Sequence, residues 1–268
     1  MSAVLFERVG HTAWVTINRP EAKNVLNAEV FVGIRDAWDE VRNNPGIRVA
    51  VLTGAGEEDF CCGGDLGSVI PLWTGARQPE TDIERELLSD MMIVAKCMLQ
   101  QEPLYKPIIG AFNGRALGGG CEIMLATDIR IAAEHAQFGV PEPKSGLVPG
   151  AGTMVRLTRQ ISYANAMKMM LTADPISAEE AREIGLINEV LPLAQLKSRA
   201  QELADKLAAN APLSLQAIKK TVLDSHTESW ADAFKIEMEQ SAIVMSSKDA
   251  REGPRAFKEK RTPEFKGE

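Results

Sequence analysis

The chain opens on short apolar stretches, and residues 13–18 alternate before Arg19-Pro20. Residues 5–9 and 13–18 read as two short strands joined by a turn at Gly10. The period then changes. Val30, Phe31, Ile34, Ala37, Trp38 and Val41 recur at helical spacing behind Asn27, a good N-cap. This predicts a helix to about Asn43, ended by Pro45-Gly46. Residues 49–53, all apolar except Thr53, read as a buried-type strand. Residues 57–80 show no period and are expected to be irregular. Ile83, Leu87, Leu88, Met91, Ile93, Val94 and Met98 then form a broad apolar face, which predicts one helix from about Thr81 to Gln101.

Beyond Pro103 and Pro107 the strands return. Residues 108–112 and 129–132 read as strands, and residues 137–139 as extended. Between them Gly118-Gly119-Gly120 opens a helix expected to reach about Thr127. Gly150-Ala151-Gly152 starts another, to about Gln160. Ser177-Ala178-Glu179-Glu180 has the form of a capping box, for a helix ending at Gly185. Residues 186–190 read as the last strand. After Pro192 three helices are predicted, over 193–210, 212–225 and 227–246. The chain therefore divides into a mixed α/β part, residues 1–192, and a helical part, residues 193–268. No repeat is visible in the sequence itself.

Composition narrows the function classes. The 268 residues are 45% hydrophobic and 25% charged, with a formal net charge of -7. That balance argues against a broad phosphate-tracking surface for nucleic acid. The four cysteines, Cys61, Cys62, Cys97 and Cys121, form no CxxC pair and no zinc pattern, so no metal is expected. Free thiols suit a reducing compartment. Glu7 and Arg8 interrupt the start where a signal peptide needs an apolar run, and no stretch is long enough to span a membrane. A cytoplasmic protein is expected.

Candidate chemistry begins with the glycines. A helix opened by Gly118-Gly119-Gly120 offers unpaired N–H groups to a phosphate or an oxyanion, or simply marks a tight turn. The run lacks the third glycine of GxGxxG, and no GKS/T follows. Gly63-Gly64-Asp65 is a second such turn; two together could supply two donors to one oxygen. Glu122 suits the dipole of its helix start, but its neighbours are apolar. Glu142, between Pro141 and Pro143, is either a solvated loop acid or half of an acid–base pair. His11, His135 and His226 are scattered without a triad or metal pattern. Cys121 has no nearby base to make it a thiolate. Lys258, Lys260 and Arg261 form either a solvated face or a phosphate contact.

Taken together, the motifs resemble those of the enoyl-CoA hydratase/isomerase (crotonase) family. IIGAFNGRALGGGCE (108–122) is similar to the family signature. The likeness continues through DIRIAAEHAQFGVPEPKSGLVPGAG (128–152), back to NRPEAKNVLN (18–27) and FCCGGDL (60–66), and on to EGPRAFKEKRTPEFKGE (252–268). The resemblance implies an α/β fold, a spiral of ββα repeats with a C-terminal helical trimerisation region, and self-association as a trimer or a dimer of trimers. It implies an oxyanion hole from the N–H groups of Gly64 and Gly119. Glu122 and Glu142 match the two glutamates with which the hydratases hold water: the first helps activate it, the second exchanges a proton at the α-carbon. Isomerases commonly keep only the equivalent of Glu142, so having both favours hydration or dehydration.

The resemblance also implies that coenzyme A is part of the substrate, with no separate cofactor. It would run along Lys23, Asn24, Val25 and Leu26, and Lys260 matches a tail lysine that reaches the nucleotide. Leu66, Trp73 and Pro141 are expected along the acyl pocket. Two departures bear on the acyl group. The segment after Asp65 is longer than in short-chain hydratases, and Thr153-Met154 stand where many hydratases have Gly-Thr. The tail is similar to that of carnitinyl-CoA dehydratases as well. Isomerisation, carnitinyl-type dehydration and aromatic acyl-CoA hydration or cleavage are the alternative outcomes. An acyl-CoA or RNA-binding relative without catalysis is the alternative of another class.

Overall fold

A computed structural model describes residues 2–268. The two opening segments are strands as predicted, and they pair with each other. β1 (Val4–Val9) and β2 (Thr12–Ile17) form an antiparallel hairpin with Val4 opposite Ile17. Against β2 lie β3 (Val49–Gly54), β5 (Ile108–Phe112), β7 (Ile129–Ala133) and β10 (Glu189–Leu191), all parallel, in the order β1-β2-β3-β5-β7-β10. A second sheet is built from β4 (Asp59–Cys61), β6 (Arg115–Leu117), β8 (Gln137–Gly139) and β9 (Ile176–Ser177). In the middle of the chain, each turn gives one strand to the large sheet, the next to the small sheet, and then a helix. This is the expected ββα spiral. Its repeat lies in geometry, since each turn packs against different neighbours and carries a different sequence.

β3 reads as an apolar run because both faces of the large sheet are covered. On one face Ala50, Leu52, Ile108 and Phe112 join the main core with α1 (Ala28–Asn43). On the other, Val49, Val51, Ile109 and Ile131 pack under α9 (Leu193–Ala208) through Leu196, Ala200 and Ala204. Phe60, Phe112 and Phe138 tie the sheets together edge to face, with ring centroids 4.8 and 5.7 Å apart. Asn27 caps α1 as expected, its side chain accepting the Val30 N–H.

The segment after Asp65 departs from prediction. A short helix, α2 (Val69–Trp73), forms inside the stretch expected to be irregular. The single helix over 81–101 is instead two, α3 (Asp82–Ser89) and α4 (Met92–Cys97). Thr81 and Glu84 form a capping box that starts α3. Asp90 ends it in an extended conformation, and its Oδ1 accepts the Met92 N–H at 2.8 Å. A side chain competing for backbone donors thus breaks a continuous apolar stripe.

α5 (Gly119–Met124), α6 (Thr153–Gln160) and α8 (Ala178–Glu183) start close to their predicted positions. α7 (Tyr163–Thr172) was not expected; its alanines and methionines form no clean stripe. The tail holds α10 (Pro212–Asp224), α11 (Trp230–Ser246) and an unexpected α12 (Asp249–Glu259). No helix among the described residues is long and apolar enough to cross a membrane.

Candidate active site

The two glycine turns meet. Leu26 donates its N–H to the Gly63 carbonyl at 2.8 Å, and the Asp65 N–H returns to the Leu26 carbonyl at 3.0 Å. These bonds hold the strand-like bridge between Leu26 and Gly64 and leave the Gly64 N–H without a backbone acceptor among the described residues. Gly119 is the first residue of α5, where an N–H has no partner in its own helix. A Cβ placed on Gly119 would stand 3.6 Å from the Gly64 nitrogen, so the two N–H groups are neighbours.

Glycine is required here for definite reasons. Gly118 has a φ of +54°, in the left-handed region. A Cβ on Gly120 would fall 2.0 Å from the Cys61 carbonyl oxygen, because α5 starts directly against the end of β4. The tripeptide is therefore a backbone-to-backbone contact that also exposes donors.

Glu122 lies on the first turn of α5, whose residues are all buried. Its Oε1 accepts the Ala151 N–H at 2.6 Å. Burial pushes its carboxyl up to about 7; the Ala151 N–H opposes this and the Glu142 charge adds to it. Glu142 opens a short 3-10 turn, Glu142–Ser145. A Cβ on Gly118 would sit 2.8 Å from Glu142 Oε1, so this carboxyl hangs over the glycine turn. Its Oε2 is buried and has no hydrogen-bond partner among the described residues. Burial raises its pKa as well. An orphaned carboxyl oxygen is costly unless something else occupies the space beside it.

Both carboxyls and both glycines line one cavity of about 390 Å³. Its remaining wall is mostly apolar, with Phe31, Ile70, Trp73, Met91, Val94 and Met98, and carries one further polar side chain, Gln100. A larger groove of about 820 Å³ runs beside Trp14 and Lys197 on the outer face of the large sheet, but contains neither glutamate nor either glycine turn. Chemistry rather than size selects the smaller cavity.

Trp73 lines the cavity wall, its ring 5.5 Å from that of Phe31. Leu66, 69% exposed, and Pro141, also exposed, do not line it. Nor do Thr153 and Met154. Leu26 reaches the cavity. Lys23 is exposed and Val25 half-buried beside it. Asn24 is buried, its amide donating to the Ala55 and Asp59 carbonyls at 2.9 and 2.8 Å, so its side chain braces the segment. Lys260 is exposed at the left-handed end of α12 and does not line the cavity.

Burial pushes the Cys121 thiol up to about 12, which leaves no thiolate for nucleophilic chemistry. His11 and His135 bond the backbone carbonyls of Gly46 and Glu57, outside the cavity. No group of three or more potential metal ligands gathers among the described residues.

Sequence reasoning missed Arg156. From α6 its guanidinium donates to the Met98 and Leu99 carbonyls at 2.8 and 2.6 Å, where Leu99 has a φ of +50°. It therefore ties the Met98 wall to the segment that holds Glu122, and its charge draws the Glu122 pKa down. Nothing local in the sequence marks this contact; it exists only once α4 and α6 meet.

The enoyl-CoA hydratase/isomerase family model matches residues 7–268, and the chain belongs to that family. It is 44% identical over 261 residues to the enoyl-CoA hydratase EchA19 of Mycobacterium tuberculosis, covering 97% of this chain and 95% of that one. It is 39% identical to the (E)-benzylidenesuccinyl-CoA hydratase of Thauera aromatica, covering 98% and 99%. Among solved structures, an enoyl-CoA hydratase from Bacillus anthracis superposes with a TM-score of 0.90 at 34% identity, covering 99% of this chain and 100% of that one.

Proposed function

We propose that this protein adds water reversibly across the 2,3 double bond of an enoyl-CoA thioester. The observation that carries the reading is the pairing of two carboxyls of raised pKa with two free N–H groups in one apolar cavity. The thioester oxygen sits between the Gly64 and Gly119 N–H groups. These stabilise the negative charge that develops as the double bond is attacked, each donor being worth about 2.7–4 kcal/mol of barrier. The space beside the orphaned Glu142 oxygen suits a water held by both glutamates. Ionised Glu122, already oriented by the Ala151 N–H, takes a proton as the water oxygen bonds to the β-carbon. Glu142 delivers a proton to the α-carbon and collapses the enolate, and proton exchange with solvent then restores both carboxyls. Coenzyme A enters as part of the substrate, along Lys23 to Leu26, with Lys260 available to its phosphates.

A trans-2-enoyl-CoA incubated in ¹⁸O-water should yield a 3-hydroxyacyl-CoA carrying one label. A shifted double bond without label would replace this reading with isomerisation, and chain cleavage would replace it with a lyase. A carnitinyl-CoA arm tests the dehydratase alternative in the same mass spectra.

The helical tail supports self-association. α11 buries none of its residues within the chain, and Trp230, Phe234, Met238 and Met245 are all exposed. Faces of this kind mark interfaces. We propose a trimer built on α10 and α11, alone or paired into a hexamer. Light scattering on the eluting protein should give three or six times the chain mass; a monomer would overturn it.

A further inference from the structure

The cavity wall says what kind of acyl group the site takes, an inference that rests on the hydration reading above. We propose that the site selects a large, uncharged, apolar acyl group extending from the two glutamates to a rim made by Trp73, Met91 and Val148.

Size is the first argument. At roughly 30 Å³ per heavy group, the share of one water in the liquid, a cavity of about 390 Å³ holds about a dozen heavy atoms. A four-carbon acyl group fills about a third of that. The unfilled remainder is lined by Phe31, Ile70, Val94 and Met98, which gain nothing from a short substrate. The rim points the same way. Trp73, Met91 and Val148 line the cavity yet are 37%, 62% and 66% exposed. Three large apolar side chains gathered at one opening are what a protruding apolar group would cover. Trp73 and Met91 also sit on segments that depart from the expected pattern: α2 and the break between α3 and α4.

Charge is the second argument. No lysine, arginine or histidine lines the cavity. The nearby guanidinium of Arg156 is committed to the Met98 and Leu99 carbonyls. An acyl chain ending in a carboxylate would bring a third carboxyl into a space that already holds two and offers no cation. A cationic end would find only one partly exposed indole, since Phe31 behind it is 2% exposed, and no carboxylate away from the reacting end.

The test compares kcat/KM for crotonyl-CoA, trans-2-hexenoyl-CoA, trans-2-decenoyl-CoA and 2,3-dehydroadipyl-CoA, the last having a six-carbon chain that ends in a carboxylate. Each methylene buried is worth roughly fourfold in kcat/KM. With several buried, decenoyl-CoA should exceed crotonyl-CoA by about 100-fold. Dehydroadipyl-CoA should fall about 100-fold below hexenoyl-CoA, its equal in length. Trp73→Ala should narrow the decenoyl-to-crotonyl ratio about tenfold, mainly through KM. A preference for crotonyl-CoA, or for dehydroadipyl-CoA over hexenoyl-CoA, would overturn the inference and leave the hydratase reading standing. Hydration of none of the four would remove the hydratase reading, and this inference with it.

Discussion

Replacing Glu142 by glutamine should lower kcat about 10²–10⁴-fold while leaving the fold intact. Glutamine has the same shape and can still hold a water, but it has no proton to deliver to a carbon. The Glu142 side chain makes no hydrogen bond that the fold depends on, and one of its oxygens is orphaned. The loss should therefore appear in kcat, with circular dichroism and the melting temperature close to those of the parent. Binding of a saturated acyl-CoA, followed by calorimetry, should change little, because the glycine donors and the apolar wall remain. A variant within tenfold of the parent kcat would remove Glu142 from the chemistry. The orphaned oxygen would then need another explanation.

The second large effect couples activity to stability. Glu122→Gln should cost a similar factor in kcat, yet make the protein more resistant to unfolding in alkaline solution. The Glu122 carboxyl has an ordinary value of 4.5 and is raised to about 7 in the fold, with burial the largest cause. Below about 4.5 both folded and unfolded chains hold the proton, and no penalty arises. As pH rises toward 7 the unfolded chain releases it and the folded chain retains it, so stability falls across that window. Above about 7 the folded chain carries a buried charge and the loss levels off. The difference is worth on the order of 3 kcal/mol. Glutamine cannot ionise and escapes this loss, while its carbonyl can still accept the Ala151 N–H. The variant's gain in melting temperature should be small at pH 5 and larger at pH 8. An equal change at both pH values would contradict the raised pKa. The pH profile of the parent should show a limb near 7 belonging to the Glu122–Glu142 pair as a unit.

Both expectations express one arrangement: a site that keeps two carboxyls out of water at a cost to the folded state. The same burial raises both carboxyls above their ordinary values, Glu122 to about 7. The mostly apolar wall that imposes it also bounds the space beside the two carboxyls.

Local pattern explains what was legible in advance. The alternation before Ile17, the stripe of α1 and the apolar run of β3 each read correctly, because burial imposes its period on neighbouring residues. Gly118 to Gly120 announced a turn that exposes donors. The break at Asp90 was hidden, since the apolar positions of α3 and α4 continue one stripe and only the aspartate's bond to Met92 divides them. α7 was hidden because its composition offers no contrast. Leu66 and Pro141, expected along the acyl pocket from their place in the motifs, do not line the cavity that holds the two glutamates. A motif specifies backbone position and says little about where a neighbouring side chain turns.

The two glutamates show where the division lies. Sequence alone determined their identity, their glycine-rich surroundings and the likeness that pairs them. It also determined a helix start at Gly119, because these depend on residues adjacent in the chain. Only the tertiary structure decided that Gly64 and Gly119 stand side by side, that Glu142 hangs over Gly118, and that Arg156 braces the wall near Glu122. Each of these is a contact between distant segments, set by how the two sheets and α4 to α6 pack. Burial follows from the same packing, and burial raises both carboxyls above their ordinary values.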